Sequence, residues 1–232
     1  CLDLIDHENV TVIDHHDTHI TNKDKYKNAK TILIDNTSCC KLLYSLFKKK
    51  YPEKQITDLQ KLLILMVDDY DCYELKLKDS YNLNVVLWNY VGNRAEQFTR
   101  DFYDGFIGFN TQHKNIIHFN QKKLKQAIND LQVFAGNIPI NKKKYKIVAS
   151  TTSHSINEIA HYMIDKYNGD VGIVINPDTK KVSFRKNKET ASDVDLGILA
   201  GKLAEGGGHE YSAGGKLTDS ILTLTKLLTL IE

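Results

Sequence analysis

The segment "TVIDHHDTHI" (11–20) runs from apolar, β-branched residues straight into Asp14, His15, His16 and Asp17. Carboxylate oxygens and imidazole nitrogens form a mixed hard and borderline donor set, better suited to Mn2+, Fe2+ or Zn2+ than to Ca2+. A plain polar turn, with the histidines capping backbone groups, is the alternative use of the same residues. A second group, Asp68, Asp69 and Asp71 in "VDDYDCYEL" (67–75), closes an apolar helical pattern. Crowded carboxylates repel one another, and a helix C-terminus already carries negative partial charge. A cation would relieve both, whereas a solvated helix end would need none. The third group is "EGGGHEYSAGG" (205–215). Gly206, Gly207 and Gly208 remove the Cβ from three successive positions, which frees the backbone to approach a ligand closely. N–H groups exposed in such a loop form an anion-binding concavity, and His209 stands beside it. One glycine is enough to end a helix, so a cap alone leaves the others unexplained. Upstream, Arg185 in "KVSFRKN" can fork two hydrogen bonds onto a phosphate.

Such groups need elements to position them. "VTVI" (10–13) and "TILI" (31–34) read as short buried strands. In a parallel α/β sheet, residues just past a strand's carboxyl end face the ligand crevice, which is where Asp14–Asp17 would lie. "SCCKLLYSLFKKK" (38–50) has helical spacing with Ser38 as N-cap and Pro52 beyond its end, and 57–71 reads as a second helix capped by Thr57 or Asp58. The polar stretch 111–135 predicts one long helix of the kind that connects domains. Strands at 145–150, 171–176 and 181–185 alternate with helices at 155–167 and 195–204. The glycine loop, a short strand at 214–217 and a closing helix over 219–231 complete the pattern. The expectation is an α/β fold of two domains joined by a helix: 1–110, with a parallel sheet; the connector 111–135; and 136–232, smaller and with a mixed sheet.

Composition narrows the setting. The 232 residues suffice for one large domain or two ordinary ones, and 41% hydrophobic with 26% charged residues is the balance of a globular protein. A net charge of +2 gives no argument for a nucleic-acid polymer, and the lysine clusters at 48–54 and 141–146 read as solvated faces. The four cysteines, two of them adjacent, show no disulfide spacing, so unpaired thiols and a cytoplasmic location are expected. The longest apolar run, "LLILMV" (62–67), is far short of the ~20 residues of a membrane span.

Taken in order, "IDHHDT" and "GGGHEYSAGG" resemble the DHH phosphoesterase superfamily with its DHH-associated C-terminal domain. The likeness covers essentially the whole chain. "LIDNTSCCKLLYSLF" (33–47), "VDDYDCYEL" and "KVSFR…DVDLGILAGKLAEGGGH" are similar to the oligoribonuclease (nano-RNase) branch. The resemblance implies a first domain holding two divalent ions, usually Mn2+ with Mg2+ as another option, that activate a water against a phosphodiester. It implies that His15 is a direct ligand, with Asp14 and His16 orienting it or touching the phosphate. The acidic motif then falls on Asp69, with Asp68 as the neighbouring option and Asp71 and Asp17 supporting the ligands from behind. Arg185 and Gly206–His209 would hold the substrate's far phosphate or terminal nucleotide.

The implied activity is hydrolysis of short RNA or DNA oligomers to mononucleotides, with a homodimer left open. A phosphodiesterase of cyclic dinucleotides or their linear products is chemically adjacent, and a non-catalytic nucleotide- or phosphate-binding module is the alternative from another class. One departure matters. Two further acidic motifs of the family precede its DHH triplet, and Asp3 and Asp6 lie too close to residue 14 to supply them. The expectation is therefore a chain cut from a longer polypeptide, with its own activity in question.

Overall fold

A computed structural model of the protein describes residues 5–231, apart from the side chains of Asp17 and Thr18. The chain divides into two compact units, residues 1–120 and 121–232. Both are α/β, as the alternation of elements predicts.

In the first unit β1 (Thr11–Asp14) and β2 (Lys30–Leu33) pair in parallel, with Thr11 opposite Lys30 and Asp14 opposite Leu33. A parallel pair needs a crossover rather than a hairpin. Here it is the short helix α1 (Asp17–Thr21) and a 3-10 turn (Lys23–Lys25). Asp6 fixes the return, because its carboxylate accepts the N–H groups of Lys27, Asn28 and Ala29. Helix α2 (Cys39–Lys50) starts where Ser38 accepts from the Lys41 N–H, and α3 (Asp58–Asp71) starts at a capping box between Thr57 and Gln60. Two further helices that the sequence pattern does not single out, α4 (Ser80–Asn89) and α5 (Arg94–Asp101), enclose a core of Met66, Leu83, Val86, Tyr90, Phe102 and Phe106.

Helix α6 (Thr111–Asn129) serves both cores, Ile117 in the first unit and Leu124, Ala127 and Ile128 in the second. It ends at Asn129 rather than running to 135, and Val133–Ile140 forms strand β3 instead. Gly136 and Pro139 would each weaken a helix there, while the alternation of buried Val133 and Ala135 with more exposed neighbours suits a strand.

The second unit is a seven-stranded sheet ordered β7-β8-β6-β5-β4-β3-β9. Its other strands are β4 (Lys143–Thr151), β5 (Val171–Asn176), β6 (Lys181–Lys186), β7 (Gly207–Gly208), β8 (Ser212–Lys216) and β9 (Thr229–Ile231). Among the described residues only β4 and β5 of this sheet pair in parallel, joined through α7 (Ile156–Tyr167). Period-two alternation splits the core. Ile147, Ile173 and Phe184 pack with Leu196 and Ala200 of α8 (Leu196–Ala204) and Ile221 of α9 (Asp219–Thr225). Val148 and Val174 meet Ile159, Ala160 and Met163 of α7 on the other face. The predicted closing helix stops at Thr225, and Thr229–Ile231 pairs with Val133–Ala135. An open β3 edge offers a row of unmade hydrogen bonds, and β-branched Thr229 and Ile231 are suited to filling it.

Candidate functional site

The strand β1 ends on Asp14, whose carboxylate organises the turn into α1. Asp14 Oδ1 accepts the N–H groups of His15 at 2.6 Å and His16 at 3.1 Å, and lies 2.6 Å from His16 Nδ1. His15 is only 6% exposed, and its Nε2 is 3.4 Å from Asp71 Oδ2, at the last residue of α3. His19, on α1, brings Nε2 to 3.5 Å from Asp14 Oδ2, while its Nδ1 meets the Tyr26 hydroxyl at 2.5 Å. Asp14, His15 and His16 each offer a ligand atom within 4.8 Å of the others, the one such group among the described residues.

The donor chemistry and spacing fit a divalent ion. Two N or O donors held about 2.1 Å from one ion at the tetrahedral angle lie about 3.4 Å apart. The His15–Asp71 and His19–Asp14 separations match that value. Asp14 against His16 Nδ1 is a carboxylate–imidazole pairing of the kind that fixes a ring's orientation beside a metal.

The three acids of "DDYD" diverge, as successive 100° steps of a helix require. Asp68 accepts the Ser38 N–H at 2.8 Å and pairs with Lys41 Nζ at 2.6 Å. Asp69 is buried, accepting from the Lys76 and Leu77 N–H groups at 2.9 and 3.1 Å and from Ser80 Oγ at 2.5 Å. Burial would raise both carboxyl pKa values, but these hydrogen bonds outweigh it and hold both below the ordinary range. The ligand positions implied for Asp69 and Asp68 are thus engaged in holding the fold, and the acid that reaches His15 is Asp71. The side chain of Asp17 lies outside the described residues. His19 and Cys39 are additional neighbours of Asp14. His19 belongs to the same decapeptide as the DHH triplet, whereas nothing in the sequence marks Cys39 as a neighbour of Asp14.

Asp14 gives this site a pH signature. Burial pushes its carboxyl up, but the His16 ring and the N–H groups of His16 and His15 prevail and lower it from 3.8 to about 2. A depressed carboxyl stabilises the fold fully above its unfolded pKa, and that contribution drains away as pH falls through the folded one. The shift corresponds to about 2 kcal/mol at neutral pH. Urea midpoints are expected to drop between about pH 4 and pH 2, and Asp14→Asn to flatten that slope; an unchanged slope in the variant refutes the assignment.

In the second unit Arg185, on β6, stands opposite Ser212 of β8. Ser212 in turn exchanges backbone hydrogen bonds with His209, N to O at 2.8 Å and 3.3 Å. Arg185 and the His209 turn therefore adjoin at one end of the sheet. The guanidinium donates to Phe184 O at 2.7 Å and to Asn157 Oδ1 on α7. Burial first and then Arg185 push the His161 imidazole pKa down, with Asp165 opposing them and Lys188 adding to them.

The glycines are used differently from the expectation. Gly206 donates its N–H to Ala200 O, closing α8, and the His209 N–H is spent on Ser212. Gly207 and Gly208 form β7 against Gly214 and Ala213. A Cβ on Gly206 would fall 1.9 Å from Gly214 O, and one on Gly208 2.5 Å from Ser212 O. The close approach that the glycines permit is to their own chain, and two N–H groups of the expected anion concavity are already bonded.

Lys186 escaped the sequence reading. Its side chain is fully buried, with Nζ donating to Val194 O at 2.6 Å and pairing with Glu210 Oε1 at 2.8 Å. It lies 4.7 Å from the Tyr211 ring centroid. Lys186 thereby anchors the 209–211 turn. Its sequence signal is a lysine in phase with buried Val182 and Phe184.

No helix among the described residues is long and apolar enough to cross a membrane. No curated protein matches the chain. Several solved structures are distantly similar, three of them as follows. An uncharacterized protein from Helicobacter pylori G27 is 14% identical, with 94% of this chain and 82% of that one covered and a TM-score of 0.30. A pGpG-specific phosphodiesterase, PggH, from Vibrio cholerae is 13% identical over 91% of this chain and 86% of that one, with a TM-score of 0.47. For an exopolyphosphatase-related protein from Bacteroides fragilis the values are 11%, 85%, 58% and 0.44. Likenesses this remote carry no functional argument. Residues 141–232, the C-terminal part of the chain, match the DHHA1 domain.

Proposed function

We propose that this protein is a metal-dependent phosphodiesterase that hydrolyses short oligonucleotides to mononucleotides. The observation that carries the proposal is the donor cluster of Asp14, His15 and His16, with Asp71 3.4 Å from the buried His15 ring. The DHHA1 match over 141–232 supports a phosphoesterase kind of chemistry.

Asp14, His15 and Asp71 are the residues that would hold a divalent cation, Mn2+ in the first instance. A bound ion supplies an acidified water and neutralises charge on the reacting phosphate. Asp14 fixes the chain turn through the His15 and His16 N–H groups and orients the His16 ring. His16, exposed and tied through Nδ1, presents Nε2 as the atom that meets a phosphate oxygen. Arg185 and the His209 turn bind a phosphate, with Lys186 holding the turn in place.

The test is incubation with Mn2+ and a dinucleotide, a pentanucleotide or a cyclic dinucleotide. Mononucleotide release from the first two is expected. Arg185→Ala is expected to weaken dinucleotide binding about tenfold or more, the loss of one charge-assisted hydrogen bond. Metal uptake and dinucleotide binding without turnover would overturn the enzyme reading in favour of a binding module. Selective turnover of the cyclic substrate would replace the proposed substrate class.

A further inference from the structure

We propose that Asn157 is the positioning residue for Arg185: a neutral brace that aims the guanidinium and leaves its charge for an anionic ligand. The inference rests on the reading of Arg185 as a phosphate-binding residue and adds the group that orients it. Asn157 lies in the first turn of α7, whereas Arg185 lies on β6, opposite Gly172 of β5. Gly172 lets the helix lie close at this level, since a Cβ there would fall 3.0 Å from Ala160 O. The Arg185 side chain reaches from the strand to the helix. Its Nη1 donates to Phe184 O at 2.7 Å and its Nη2 to Asn157 Oδ1. Bonds to two different elements fix both the place and the plane of a rigid fork. A side chain held in this way has already lost rotamer freedom that binding would otherwise remove.

The choice of an amide matters. Phe184 O and Asn157 Oδ1 are both neutral oxygens, so they orient the guanidinium without cancelling its charge. Lys186 and Lys41 are used differently: each meets a carboxylate, Glu210 and Asp68 respectively. A carboxylate at position 157 would form a charge-assisted pair with the arginine fork and compete with an incoming phosphate for it. His161 stands one turn along α7 from Asn157, at the i,i+4 spacing of one helix face. Burial and then Arg185 hold its imidazole below the ordinary 6.5 against the opposing pull of Asp165. Asn157 and His161 thus both face Arg185 without a charge at neutral pH.

The experiment is calorimetric titration of the whole chain with a dinucleotide, divalent metal being chelated to prevent turnover, beside urea denaturation of the same variants. Arg185→Ala sets the scale, a loss of about tenfold or more. Asn157→Ala is expected to weaken binding about three- to tenfold, the worth of one ordinary hydrogen bond. In the Arg185→Ala background the same change should cost nothing further, because the two side chains act as one unit. Asn157→Asp is expected to weaken binding by at least about tenfold, while its urea midpoint holds or rises. A carboxylate in the first turn of a helix and beside a guanidinium favours the fold. Binding and stability then move in opposite directions, which a merely structural asparagine would not produce. Wild-type affinity in Asn157→Asp, or a loss in Asn157→Ala that persists in the Arg185→Ala background, overturns this inference and leaves the grip of Arg185 standing. Unchanged affinity in Arg185→Ala overturns both.

Discussion

Gly206→Ala is expected to destabilise the second unit by about 3 kcal/mol or more, at the upper end of what overpacking costs. The added Cβ would sit 1.9 Å from Gly214 O and 2.5 Å from Gly215 Cα, both backbone atoms that cannot swing aside. Relief would require parting β8 from the end of α8, and Gly215 already packs so that its own Cβ would lie 2.3 Å from Ala204 O. Gly201→Ala is the matched control. Gly201 lies inside α8, where the nearest atom to a Cβ is Gly206 O at 3.6 Å, an ordinary contact. Helix propensity then makes that change stabilising by up to about 1 kcal/mol. Urea denaturation monitored by circular dichroism separates the two. Equal midpoints for Gly206→Ala and wild type would mean that the run tolerates side chains and is kept for another reason.

That contrast shows what the sequence could and could not convey. A run of glycines announces that backbone comes close to something, but composition does not say whether the partner is a ligand or another strand. Asp14, His15 and His16 were legible because their arrangement is local: a β-branched strand ends and the chain turns on one carboxylate. In "KVSFRK" Val182 and Phe184 are buried with Arg185 between the phases, and Lys186 falls in the buried phase. A lysine in that phase becomes intelligible only once Val194 O and Glu210 are seen to receive it. Strand β9 was hidden for a related reason. Ile231 continues the helical spacing of Ile221, Leu224 and Leu228, and what selects a strand is the open edge of β3, nearly a hundred positions earlier in the chain. Cys39 and Asp14 likewise meet only through the crossing of α2 over the end of β1.

The last case is the choice among three acids, and it yields the sharpest separation of stability from metal binding. Asp69→Asn is expected to cost about 3 kcal/mol, because the buried carboxylate accepts two backbone N–H groups and the Ser80 hydroxyl. An amide there turns a donor toward donors and forfeits the charge-assisted part of each bond. Asp71→Asn should leave the urea midpoint within about 0.5 kcal/mol of wild type, since the Asp71 side chain is 46% exposed. The same change should weaken divalent-metal affinity by about 10–100-fold, through the contact with His15. Calorimetric titration of folded protein with Zn2+ and Mn2+ reads the second quantity, and circular dichroism in urea reads the first. Loss of metal in Asp69→Asn at full folding, with normal binding in Asp71→Asn, would restore Asp69 to the ligand position. The helical phase argues the other way: at 100° per residue, the two steps from Asp69 to Asp71 turn the carboxylate from the Ser80 side to the His15 side.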